Sequence, residues 1–221
     1  MLYGGGRTRA PRRRFAALLP YRTMPKPSHR EILLTAGLRL VHEKGFSRAS
    51  VRDIVTAAGV PQGSFTNHFR TKEQFGLAVL ERYYGYIQEL MERTLLNEKR
   101  QPLERIRSYV NGLIDILEDG WTRKGCILGN FSAELTDDNE AIRRRVVEMF
   151  DEMQAAVKNC LKDAIRQGDL PRTAKAGELA GFFLSSQQGA TLLCKAHGSV
   201  EPMRRFKRLF FSSIFAKNTR R

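Results

Sequence analysis

The stretch SVRDIVTAAGVPQGSFTNHFRTKEQF, Ser50–Phe75, decides the fold of this 221-residue chain. Ser50 can cap a helix that starts beside it, and Asp53, three residues later, completes a capping-box pattern. Gly59 is placed to end that helix, as glycines commonly do just past a helix C-terminus. A second short helix is expected over about residues 61–69. Two short helices joined by a tight glycine turn predict a helix-turn-helix.

The two faces of the second short helix differ in chemistry. Ile54, Val60, Phe65 and Phe69 are spaced to pack the two helices against each other and against the helix before them. The opposite face has no long apolar side chain and no acid, and it carries Gln62, Gly63, Ser64, Thr66, Asn67 and His68. Such a face can enter the major groove of DNA and hydrogen-bond base edges. The alternative is a solvated face of an ordinary helical protein.

The charge of the chain favours a polyanionic partner. The formal net charge is +15, residues 1–27 hold seven basic and no acidic residues, and residues 28–72 hold seven basic and three acidic residues. Basic surfaces of this kind attract nucleic acid. We expect residues 1–27 to be a disordered basic arm, or an extension upstream of a translation start at Met24. The apolar run Phe15–Leu19 is too short for an export signal.

Cysteine use points to a reducing compartment. Cys126, Cys160 and Cys194 are sparse and form no CxxC pair, which argues against a disulfide framework and a structural zinc site. No run of 18 apolar residues occurs, so no transmembrane helix is expected. We therefore expect a cytoplasmic protein.

The rest of the chain predicts helices throughout, and thus an all-α fold. A short helix should follow the break at Lys124-Gly125, and a long amphipathic helix should span about residues 140–166. Two further helices, over about residues 173–197 and 200–215, are apolar on nearly two sides. Such helices need a core on one side and a partner on the other, which favours a homodimer with a four-helix interface over burial within one monomer.

The segment from Ser50 to Phe75 resembles the DNA-binding domain of the TetR family of bacterial transcriptional repressors. The matching features are Ser-x-Arg-Asp-Ile, Ala-Gly-Val, Gly-Ser-Phe, His-Phe and Thr-Lys-Glu. The resemblance implies a helix-turn-helix domain over residues 28–72 and a helical effector-binding and dimerisation domain over residues 73–221. It implies DNA contacts from the residues Ser50, Arg52, Gln62, Gly63, Ser64, Thr66, Asn67, His68 and Lys72. Thr66 departs from the tyrosine usual in the family.

The resemblance also implies repression of a palindromic operator that is relieved by a small molecule. The motif Gly-Cys-Ile-Leu-Gly-Asn around Cys126 is similar to one branch of the family, some members of which respond to electrophiles or oxidants. A helix N-terminus and neighbouring cations stabilise a thiolate, so Cys126 is either a sensor or a packing residue. The predicted effector site comprises Tyr109, Leu113, Trp121, Cys126, Phe131 and Gln187.

Other classes of function find less support in the sequence. Motifs of hydrolases, metalloproteases, P-loop proteins and dinucleotide-binding proteins are absent, and the four histidines lack ligand spacing. We therefore expect no enzyme, no cofactor and no metal site. The remaining alternative is a helical adaptor that keeps the helix-turn-helix shape to bind protein.

Overall fold

Every regular element in residues 27–136 and 139–214, the part of the chain that the computed structural model describes, is helical. The predicted all-α fold is confirmed, whereas the expectations for residues 1–26 lie outside the described residues. The helices are α1 His29–Lys44, α2 Val51–Ala58, α3 Gly63–His68, α4 Lys72–Arg93, α5 Pro102–Ile116, α6 Ile127–Glu134, α7 Glu140–Gln167, α8 Ala176–His197 and α9 Glu201–Ile214.

Local capping sets the ends of the N-terminal helices. Ser50 and Asp53 form the predicted capping box at the start of α2, with each side chain bonded to the other residue's backbone. Gly59 ends α2 with φ +64°, a left-handed conformation that glycine adopts at low cost. Thr71 caps α4 through a hydrogen bond from the Gln74 amide, 3.0 Å. Ser50 and Gly59 bound α2 as expected, and the sequence likewise predicts the cap at Thr71, because capping depends on residues close in the chain.

The end of α5 differs from its prediction. The sequence from Pro102 predicts a helix that ends near Gly120, but the helix ends at Ile116 and passes into a wider π-helical turn over Leu117–Trp121. Gly120, with φ +105°, breaks the regular geometry there. This turn brings Trp121 back toward α1 and α4, where its ring lies 4.8 Å from that of His42.

Three aromatic side chains pack α3 against its neighbouring helices. Phe65, Phe69 and Phe75 pack in mutual contact, with ring centroids 5.1–5.6 Å apart. Ile54 is fully buried beside them. This cluster fixes α3 against α1 and α2.

The helices α4–α9 form the larger part of the structure. Within it α7 packs against α4, α5 and α8, and α9 packs on α8 and α5. The long helix α4 contacts both α1 and α7, so it links the first three helices to the rest of one continuous hydrophobic core. The domain division at residue 72 stays a prediction. None of the helices in the described ranges has the length and apolar character that a membrane crossing requires.

Candidate functional site

The outer surface of α3 presents polar side chains on a braced helix. Gln62, Gly63, Thr66, Asn67 and His68 are exposed, as predicted. Space around the Cα of Gly63 is open, so a partner's backbone can approach closely there. The Thr66 hydroxyl donates to the Gly63 carbonyl of its own helix, 3.1 Å. The face is therefore available for contact with the base edges of DNA.

Ser64 does not lie on this face, and the prediction that it does is wrong. Its side chain is buried, and its hydroxyl lies 3.0 Å from Nδ1 of His29 in the first turn of α1. The physical reason is that α3 packs directly on α1, so its inner face includes Ser64 as well as Phe65. Ser64 therefore serves the packing of α3 onto α1.

Residues on either side of α3 are fixed by the scaffold. Ser50 is exposed but is held by the capping box, in which its hydroxyl donates to Asp53, 2.6 Å. This bond holds the pKa of the Asp53 carboxyl below its usual value. Lys72 donates to the Ser47 carbonyl, 3.0 Å, and its ammonium lies 4.8 Å from the centre of the Phe46 ring. Arg52 is exposed on α2.

A cavity of about 620 Å³ lies between α1, α4, α5 and α8. Of the predicted effector residues, Leu113, Trp121, Cys126 and Gln187 line it. Its wall is mostly apolar by area, and its polar lining residues include Tyr83, Cys126 and Gln187 together with five charged residues. A cavity of this size, apolar with a few polar groups, is suited to a small organic molecule.

Tyr109 and Phe131 are not part of the cavity lining, which corrects their predicted place. Tyr109 is fully buried against Phe183, with ring centroids 6.4 Å apart, and burial raises its pKa well above the usual value. Phe131 stacks on Phe46 at 5.0 Å, away from the cavity. Both aromatic side chains lie on the apolar face of their helix, and that part of the face packs into the hydrophobic core.

Cys126 occupies the N-cap position of α6, as the glycine break predicted. The Tyr83 hydroxyl donates to its sulfur, 3.7 Å. Burial raises the pKa of Tyr83 well above its usual value, with a further contribution from Cys126, so the phenol stays neutral and a donor. Cys126 is half-buried, whereas Cys160 and Cys194 are fully buried. Cys126 is therefore the most accessible of the three thiols.

The cations expected beside Cys126 have other partners. Lys124 pairs with Glu43 at 3.5 Å and lies over the Trp121 ring, and Arg123 packs against Gly198. Lys195 of α8 donates to the Asn130 amide oxygen, 2.8 Å, in the turn after Cys126. Cys160 differs from Cys126 in its burial, which raises the pKa of the Cys160 thiol to about 11 and makes this thiol unreactive near neutral pH.

His42 connects α1 to the cavity wall, and sequence reasoning assigned it no role. Its side chain is 4% exposed, and Nε2 lies 2.8 Å from the Gly125 carbonyl oxygen, so Nε2 carries the proton and donates. The ring packs against Trp121 and Tyr83. Burial, with smaller contributions from nearby Lys124 and Lys195, lowers the pKa of His42 to about 4, although the hydrogen bond to Gly125 acts in the opposite direction. The imidazole is therefore neutral near pH 7.

Several other lining residues were also missed by the sequence analysis. Tyr83, Ile87 and Leu90 follow one face of α4 at helical spacing, and Thr191 lies on α8 one turn after Gln187. The periodicity was visible in the sequence. It could not distinguish a face that packs into the core from one that lines a cavity.

Comparison with known proteins agrees with this geometry. Residues 33–79 match the family model described as "Bacterial regulatory proteins, tetR family", and residues 102–210 match that of a "Tetracyclin repressor-like, C-terminal domain". The chain is 32% identical over 191 residues to the HTH-type transcriptional repressor DhaR of Mycobacterium sp. (strain GP1), covering 86% of this chain and 94% of DhaR. It is 28% identical over 174 residues to the repressor NemR of Escherichia coli K12, covering 79% and 87%.

Solved structures show the same arrangement. The reduced form of E. coli NemR superimposes with a TM-score of 0.73 at 29% identity, over 84% of this chain and 97% of that chain. A cysteine-substituted form of the TetR-family regulator CifR bound to 26-bp operator DNA gives a TM-score of 0.74, over 85% and 97%, at 18% identity. At that identity the second match supports the fold alone.

Proposed function

The chain belongs to the TetR family of bacterial regulatory proteins, and from that premise we propose that it is a dimeric repressor that leaves a palindromic operator when its cavity is occupied. One observation carries the DNA-binding part: α3 exposes a polar, acid-free face while an aromatic cluster holds its other side. A helix braced in this way can insert rigidly into a major groove.

We assign different DNA contacts to the exposed residues of the N-terminal helices. The amides of Gln62 and Asn67 suit adenine edges, and His68 and Thr66 extend the same face. Arg52 and Lys72 flank α3 and suit phosphate oxygens, which position a protein on the duplex without reading sequence. Ser50 can join them when its hydroxyl turns from Asp53 to a phosphate oxygen. Ser64 is excluded from these contacts because its hydroxyl is buried against His29.

The cavity is the proposed effector site, with Cys126 as its reactive group. Cys126 is a half-buried thiol at a helix N-terminus, and its sulfur accepts a hydrogen bond from the Tyr83 hydroxyl. Such a thiol can be alkylated by an electrophile, or oxidised by an oxidant, that enters the cavity. The related repressor NemR of E. coli has been crystallised in a reduced form, so a redox state is distinguished for that protein. An effector that binds better to a conformation unsuited to DNA shifts the population off the operator.

We propose that α8 and α9 form the dimer interface. Phe182, Leu193 and Leu209 are about half exposed along this face, although all three are large and apolar. Contiguous exposed apolar surface marks an interaction site. A second copy seated here would bury it, and two-fold symmetry would match a palindromic operator. Because its DNA partner lies in the bacterial cytoplasm, we place the protein there too.

The test is fluorescence anisotropy of the purified protein with DNA from immediately upstream of its own gene. Shuffled DNA is the control, and both are titrated across salt concentrations. We expect the upstream DNA to bind about 1,000-fold more tightly or better. Equal weak binding to both, together with capture of no upstream fragment from a genomic library, would favour the adaptor alternative.

The same assay tests Cys126. N-ethylmaleimide should release the wild-type protein from DNA and leave the Cys126→Ser variant bound. Mass spectrometry should locate the adduct on Cys126, because Cys160 and Cys194 are fully buried. Release of the Cys126→Ser variant by the same reagent would refute the sensing role and leave a packing role for this cysteine.

A further inference from the structure

One segment connects the effector cavity to the DNA-binding helices. It runs from Trp121 through α6 to Glu134, and its first part lines the cavity through Trp121, Gly125 and Cys126. The eight residues of α6 then form a rigid rod about 12 Å long. A helix of this length can carry a displacement of Cys126 at one end to Glu134 at the other.

Glu134 is bound to the turn between α1 and α2. Its carboxylate accepts a hydrogen bond from the Ser47 amide, 2.6 Å. A Cβ atom on Gly45 would collide with the same carboxylate, so a larger residue at position 45 would displace the Glu134 side chain. Gly45 also has φ +88°, a backbone conformation that would be strained for any other residue type at this position. The hydrogen bond to Ser47 thus ties this turn to a residue 87 positions away.

Ser47 joins Glu134 to a residue proposed to contact DNA. Its N–H binds the Glu134 carboxylate, and its carbonyl accepts from the Lys72 ammonium, 3.0 Å. Phe46, the preceding residue, lies between the Phe131 ring at 5.0 Å and the Lys72 ammonium at 4.8 Å. The position of Lys72 therefore depends on a turn that α6 holds from the other side.

A second contact holds the start of the segment to the same end of α1. The His42 imidazole donates to the Gly125 carbonyl, and Lys124 pairs with Glu43. The segment is thus fixed at both ends to the last turn of α1 and the turn that follows it. A ligand that moves Gly125 and Cys126 pulls against both contacts.

From these contacts we propose that Glu134 is a positioning residue: it holds the turn at residues 45–47, and with it α2 and Lys72, in the DNA-binding geometry, and its release communicates the occupied cavity to the DNA-binding helices. This inference rests on the proposed function. It adds the residue through which the two sites are coupled.

The experiment compares the full-length wild type with Glu134→Ala, Glu134→Gln and the control Glu92→Ala. Glu92 is an exposed glutamate of α4, so its removal tests the loss of an acidic side chain alone. Loss of a charge-assisted hydrogen bond should weaken operator binding by Glu134→Ala about tenfold. Glu134→Gln keeps an acceptor oxygen and should stay within about threefold of wild type. Circular dichroism should show unchanged helix content in all four proteins.

Two further readouts separate positioning from a merely structural contact. Hydrogen exchange over peptides spanning residues 45–49 should accelerate in Glu134→Ala and not in Glu92→Ala. The second readout is the factor by which alkylation of Cys126 with N-ethylmaleimide weakens operator binding. This factor should be at least about threefold smaller in Glu134→Ala than in wild type, because coupled perturbations are not additive.

Unchanged exchange and unchanged operator affinity in Glu134→Ala would overturn the proposal. So would an alkylation factor equal to that of wild type. If alkylated wild-type protein stays on its operator, the proposed electrophile response fails, while exchange and the affinities of the unmodified proteins still decide whether Glu134 positions the turn.

Discussion

The buried imidazole of His42 makes a specific prediction about the pH dependence of stability. Its pKa is lowered from 6.5 to about 4 in the folded protein, chiefly by burial. As pH falls below 6.5, the His42 imidazole therefore becomes protonated in the unfolded chain while it stays neutral in the folded chain. Stability is lost between pH 6.5 and about pH 4 and changes no further from this group below that. The difference corresponds to about 3 kcal/mol.

The matched variant is His42→Gln, which does not titrate and keeps a donor for the Gly125 carbonyl. The free energy of unfolding in urea should be measured for both proteins at several pH values between 7.5 and 4, at one protein concentration because dimers gain stability with concentration. Trp121, the single tryptophan of the sequence, packs on His42 and reports unfolding by fluorescence.

Other carboxylates titrate in the same range, so the informative quantity is the difference between the two proteins. The wild type should lose about 3 kcal/mol more than His42→Gln between pH 6.5 and 4, or about 6–12 °C in melting temperature. Parallel stability curves would refute the reasoning, because they would mean that His42 is hydrated or protonated in the folded protein.

Two further predictions concern the DNA-contacting and dimer surfaces. Asn67→Ala should weaken binding to upstream DNA by about 10–100-fold, because the proposed bidentate contact with a base would be lost, and should leave binding to shuffled DNA unchanged in anisotropy titrations. Equal weakening on both DNAs would mean that Asn67 contacts phosphate instead. Leu209→Glu should convert the dimer to a monomer in light scattering and abolish tight operator binding while helix content by circular dichroism is retained, since Leu209 is 57% exposed in the single chain; a variant that stays dimeric would place the interface elsewhere.

Much of the fold could be predicted because its signals are local. The caps at Ser50 and Thr71 and the turn at Gly59 involve residues within four positions of each other, and they set the ends of α2 and α4 where expected. The position of Cys126 at the start of α6 followed in the same way from the glycine before it. The exception was the end of α5, where the chain widens into a π-helical turn before the glycine.

The sequence by itself determined an all-α protein with a helix-turn-helix and placed Cys126 at the start of a helix, since periodicity, capping and turn chemistry act over a few residues. Only the tertiary structure decided which polar or aromatic side chain faces a partner. The Ser64 side chain is buried because α3 packs on α1. Phe131 stacks on Phe46 and does not line the cavity. The contact of His42 with Gly125 spans 83 residues. Such pairings depend on how whole helices pack, and helical spacing within one segment carries no information about its neighbour.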